Sequence, residues 1–156
     1  VMLKRLSAAT ACLLILGACS SESDPTISVV DTWVKASDEH MTSAFGTLSY
    51  DGDEPVVIVS VTSPAAERVE LHETVMGTDG EMSMQEISGG FTIEAGGDLV
   101  LEPGGNHLML MGVTEPIEAG DEIEFTATLD DGDTFEFSAI AKDYDGANES
   151  YHDSDE

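Results

Sequence analysis

The sequence predicts an all-β chain, folded as an antiparallel sandwich. Between residues 26 and 144, runs rich in Val, Ile, Thr, Phe and Leu are broken about every eight to twelve residues by glycine-bearing turns. Several runs alternate: Phe125, Ala127 and Leu129 fall on one face of a strand, as do Phe135 and Phe137. No stretch beyond the first 18 residues carries amphipathic helical periodicity. Short strands without intervening helices pack as sheets that bury one face and leave the other wet.

Taken in order, the chain opens with Lys4-Arg5 and an apolar run from Leu6 to Leu16, too short to span a bilayer but suited to the core of a secretory signal. Residues 1–18 are therefore read as a signal peptide. Leu16-Gly17-Ala18-Cys19 resembles a bacterial lipobox, which makes Cys19 the lipidated first residue of the mature protein. The other cysteine, Cys12, lies in the removed segment. Residues 19–25 form the lipidated cysteine and a polar tether, 26–144 one domain, and 145–156 an acidic, flexible tail too polar to pack. Strands are expected at 27–35, 43–50, 56–62, 68–73, 82–87, 91–94, 98–102, 107–113, 121–129 and 134–142. Turns separate them at Asp51-Gly52-Asp53, Asp79-Gly80, Gly89-Gly90, Gly96-Gly97, Gly104-Gly105 and Asp131-Gly132.

The formal charge of the 156 residues is −27, with 32 acidic side chains against 5 basic ones. Loss of Lys4 and Arg5 with the signal leaves three basic residues and a charge of −29. Such a surface repels nucleic acid and anionic headgroups, so contact with a membrane is expected only through the lipid. Acidity of this kind is the solvated shell of an extracytoplasmic protein.

Chemistry is concentrated in the segment His107-Leu108-Met109-Leu110-Met111. Residues two apart in a strand share a face, so His107, Met109 and Met111 line one side and Leu108 and Leu110 the other. Of the methionines after Met2, five of six fall between positions 76 and 111, and Met82 and Met84 also share a face. Methionine ordinarily fills gaps in cores. A row of thioethers beside imidazole is, in addition, the donor set that suits copper(I), a soft closed-shell ion with little geometric demand. A mature chain without a thiol excludes cysteine-based zinc, iron–sulfur and blue-copper sites.

His72, eleven residues, Met84, twenty-two residues, His107, one residue and Met109 closely resembles the metal motif of the periplasmic copper chaperones called PCu(A)C, here in a lipoprotein form. Trp33-Val34-Lys35, Ser63-Pro64-Ala65-Ala66, Val69-Glu70-Leu71-His72-Glu73, Ala95-Gly96-Gly97, the run Pro103 to Met111, and Glu118-Ala119-Gly120-Asp121 belong to the same resemblance, which covers most of 29–144. It implies a Greek-key, cupredoxin-like sandwich with His72, Met84, His107 and Met109 as copper(I) ligands. Met82 competes with Met84 for the second position, and Met111 stands beside Met109 as packing or a secondary donor. The resemblance also implies delivery of copper for cytochrome c oxidase assembly, to the oxidase's copper-centre subunit or through a thiol-bearing copper chaperone. The chain would work outside the cytoplasm, anchored to the cell membrane.

His40 and Met41 are read as an exposed loop pair, His152 as a solvated tail residue, and Asp130, Asp131 and Asp133 as a hairpin turn, since calcium-loop spacing is missing. A copper storage or resistance lipoprotein would use the same ligands. An immunoglobulin-like interaction module explains the sandwich and leaves the methionine rows unexplained. No nucleophile, phosphate-loop or zinc motif supports an enzyme. Protons compete with copper for imidazole, whose free value lies near about 6.5, so copper(I) affinity is expected to fall as pH drops below that region. A competition assay that stays flat from neutral to acidic pH would remove the histidines from the ligand set.

Overall fold

A computed structural model describes residues 26–78, 80–146, 150 and 151. The signal peptide, the lipobox with Cys19, the whole tether to residue 25 and His152 lie outside them. Eleven strands follow one another: β1 (Ile27–Lys35), β2 (Met41–Tyr50), β3 (Val56–Thr62), β4 (Ala66–Met76), β5 (Met82–Glu86), β6 (Phe91–Ile93), β7 (Asp98–Leu101), β8 (His107–Val113), β9 (Glu122–Leu129), β10 (Thr134–Lys142) and β11 (Ser150–Tyr151). No helix forms among the described residues. The chain is all-β, as its turn spacing predicts.

Hydrogen bonding links the strands in the order β11-β5-β4-β8-β2-β1-β10-β9-β3-β6. Val61 of β3 also pairs with Val69 of β4, which closes the strands from β4 round to β3 on themselves. The result is one continuous, barrel-like sheet where two separate sheets were expected. Closure satisfies the backbone groups that a sandwich would leave along open edges.

Two strands outrun their hydrophobic patterns. β2 begins at Met41, two residues early, and β4 runs from Ala66 to Met76 because β8 and β5 supply ladder partners along nearly its whole length. The tail, expected from its polarity to stay unpacked, lays Ser150–Tyr151 parallel to β5. Backbone N–H and C=O groups pair regardless of side-chain polarity, and β5 offers them an edge.

The interior is apolar. Val34, Ala44, Leu48, Ile58, Val61, Leu71, Phe91, Leu108, Leu110, Phe125, Ala127 and Ala139 are all buried in one cluster. Phe125 stacks on its cross-strand partner Phe137 with ring centroids 5.1 Å apart. β7 and β8 run in the same direction along β2, one after the other: Leu99 and Leu101 lie opposite Leu48 and Gly46, and Leu108 opposite Ala44. The turn 102–106 is an excursion between two halves of one trace. β1 carries a bulge between Val30 and Trp33, where Asp31 adopts a φ of 54°. The extra residue puts Trp33 opposite Phe45 and so on the same face as it.

Leu110 is fully buried at the centre of the interior. Leu110→Ala is expected to lower unfolding stability by about 2–5 kcal/mol, the cost of removed contacts plus a residual cavity. Urea unfolding measures it, and a loss well below that range would show that the interior collapses to fill the space.

Candidate metal centre

The outer side of the strands β5, β4, β8 and β2 is a second face with different chemistry. The register of β4 on β8 sets His72 opposite His107, Glu70 opposite Met109 and Arg68 opposite Met111. β2 adds Ser43 opposite Met109 and Met41 opposite Met111, and β5 adds Met84 opposite Thr74 and Met82 opposite Met76. Directly opposed residues share a face, so the donors gather on one side while Leu71, Leu108 and Leu110 point to the other.

Both histidines are buried, His72 at 0% and His107 at 2% exposure, with ring centroids 5.5 Å apart. His72 Nε2 lies 2.8 Å from Glu70 Oε2, and Arg68 donates to the other oxygen of that carboxylate. His107 Nδ1 lies 3.0 Å from the Gly105 carbonyl oxygen, which also accepts from the Thr74 hydroxyl at 3.3 Å. Gly104 makes that carbonyl available: its φ of +79° allows the turn that carries Gly105 in front of the His107 ring. The remaining ring nitrogens, His72 Nδ1 and His107 Nε2, are buried and hydrogen-bond to nothing among the described residues.

Burial pushes the Glu70 carboxyl up, but hydrogen bonds from Arg68 and His72, together with the Arg68 charge, outweigh it and hold the group below the ordinary glutamate range. Glu70 is therefore an ionised carboxylate beneath the site. It and Arg68 are the residues that sequence reasoning missed. The available signal was the alternation Arg68, Glu70, His72, three polar residues on one strand face.

Met84 and Met109 are buried at 5% and 3% exposure and line a cleft of about 370 Å³ together with Met41, Ser43, Thr42 and Lys35. The Ser43 hydroxyl donates to Met109 Sδ at 3.4 Å. Met82, by contrast, is 39% exposed near the end of the β4–β5 hairpin. Met111 is buried beside Met41, on the same face but one step further along β8. Met41 is a strand residue at the cleft, not the loop residue its polar neighbours predicted, whereas His40 is exposed in a bend as expected. A larger groove of about 420 Å³, lined by Pro64, Glu115, Pro116, Ile117 and neighbours, contains neither histidine nor methionine.

Among the described residues no three His, Cys, Asp or Glu side chains gather as a metal cluster. Thioethers are thus the donors available to complete a set around the two imidazoles, and such a set favours a soft ion. A row of aromatic rings backs it: Phe45 lies 6.1 Å from His107, Trp33 4.4 Å from Phe45, and Tyr144 5.0 Å from Trp33.

Comparison with known proteins agrees with this architecture. Residues 27–141 match the model of a family described as "Putative lipoprotein LpqE-like". The chain is 43% identical over 125 residues to "Putative lipoprotein Lxx21020" of Leifsonia xyli subsp. xyli, covering 80% of this chain and 75% of that one. The solution structure of the copper(I) form of DR1885 from Deinococcus radiodurans superposes with a TM-score of 0.59 at 26% identity, over 84% of this chain and 89% of that one. The apo PCuAC domain from PmoF1 shares the fold, with a TM-score of 0.64 at 18% identity over 76% and 94% of the two chains. The chain belongs to the LpqE-like lipoprotein family, whose fold is that of the PCuAC copper chaperone domains.

Proposed function

We propose that this protein is an extracytoplasmic copper(I) chaperone that holds one ion on His72, Met84, His107 and Met109. The observation that carries the reading is that two buried imidazoles, opposite one another on β4 and β8, share a strand face with two buried thioethers that line a cleft. The copper(I)-bound state of the DR1885 neighbour supports the choice of ion. The scaffold then reads as a cupredoxin-like Greek key, supported by the crossover that lays β10 parallel to β1.

Depth orders the ligands. The thioethers line the cleft, whereas neither imidazole does and both are buried. An acceptor's thiolates enter from the cleft, meet the weaker thioether ligands first and displace them, and the imidazoles let go last. Softness keeps the ion reduced, and thioethers stay usable where free thiols would form disulfides. The acceptor is a thiol-bearing copper chaperone or the copper-centre subunit of cytochrome c oxidase, a recipient inferred from resemblance to the chaperone family. A lipid on Cys19 ties the domain to the outer side of the cell membrane, a placement supported by the lipoprotein family to which the chain belongs.

Competitive copper(I) titration of the protein lacking its first 19 residues tests the site. One tight equivalent is expected. His72→Ala, His107→Ala, Met84→Leu and Met109→Leu should each weaken it by about tenfold or more, and Met82→Leu by less than about threefold. Absence of competitive binding in the unaltered protein would end the chaperone reading, and a larger loss from Met82→Leu than from Met84→Leu would move the second ligand to Met82.

A further inference from the structure

Resting on the copper reading, we propose that Glu70 is a positioning residue that selects which nitrogen of His72 faces the metal. A carboxylate only accepts hydrogen bonds, so the 2.8 Å contact requires a proton on His72 Nε2. In neutral imidazole the lone pair then sits on Nδ1. The carbonyl of Gly105 is likewise only an acceptor, so the 3.0 Å contact places the proton of His107 on Nδ1 and its lone pair on Nε2. The two histidines therefore offer unlike atoms, Nδ1 from His72 and Nε2 from His107. One tautomer is fixed by a side chain and the other by the backbone.

Arg68 makes the selection strict. Its guanidinium, which only donates, takes Glu70 Oε1 and leaves Oε2 to His72. All three residues alternate along one face of β4, so the relay Arg68, Glu70, His72 is built into a single strand. An isosteric change at its centre has a definite consequence. In Glu70→Gln, Arg68 claims the amide oxygen and turns the amide N–H toward His72 Nε2. That nitrogen must then accept, and the proton moves to Nδ1, the atom intended for the metal.

Long-range 1H–15N NMR of the uniformly labelled full chain, before and after addition of silver(I) as a redox-inert stand-in for copper(I), tests this. Expected is an Nε2-protonated His72 and an Nδ1-protonated His107 before silver. Silver should then shift Nδ1 of His72 and Nε2 of His107. Glu70→Gln should invert the His72 tautomer and weaken silver binding by about 10–100-fold. Arg68→Met combined with Glu70→Gln frees the amide to rotate and should restore the original tautomer, a rescue that a purely structural role would not produce. A His72 protonated on Nδ1 in the unaltered chain, silver bound through His72 Nε2, or an unchanged tautomer in Glu70→Gln would each overturn the proposal while leaving the copper reading intact. Silver that perturbs neither histidine would overturn the copper reading and, with it, the assignment of metal-facing atoms.

Discussion

Everything at the site depends on the register between β4 and β8. Side chains alternate with a period of two, so a slip of one residue would send His72, Glu70 and Arg68 inward and their apolar neighbours out. What prevents the slip is on the other face. Val69 lies opposite Leu110 and Leu71 opposite Leu108, and all four are driven toward the interior of the barrel. The hydrophobic effect thus positions groups it does not touch: burial of leucines and valine on one side fixes the polar and thioether residues on the other.

A buried imidazole and a buried carboxylate in adjacent positions on one face would ordinarily oppose folding, because polar groups lose hydration on burial. Here each supplies the other's partner, and Arg68 closes the set from the more exposed end of the strand. The backbone does the same for His107 through Gly105. This second pairing depends on the interrupted trace of β7 and β8. A strand running straight along β2 would have no turn at residues 102–106 to swing a carbonyl in front of the ring.

Much of this was legible in the chain. Eight strands lie where alternation and glycine turns put them, β1, β3, β8 and β10 to the residue and β5, β6, β7 and β9 within one, because in these segments the buried face and the sequence pattern coincide. The histidines and the Met109 row were legible for the same reason. Cross-strand register was not. That Met41 belongs to the cleft, or that Arg68 and Glu70 stand beneath His72, follows from which residue lies opposite which, and a polar residue in a strand carries no mark of its partner. Closure into a barrel was hidden too, since it turns on one contact between β3 and β4, Val61 with Val69, and neither valine differs from any other strand valine.

The three basic residues that follow the expected signal all lie on one face. Arg68 is bound to Glu70, Lys142 stands 4.0 Å above the Trp33 ring, and Lys35, its partner in the β1–β10 ladder, lines the cleft. They are the only lysines and arginines among the described residues of a chain whose formal charge is −27. Two are matched locally rather than left as a positive patch: Arg68 by Glu70, and Lys35 by Asp38 and Glu39, which line the cleft with it. The mouth of the cleft is therefore a rim of mixed charge on a polyanion. A charged partner approaching it meets both signs within one opening, so its orientation there is set by where each sign sits and not by net attraction.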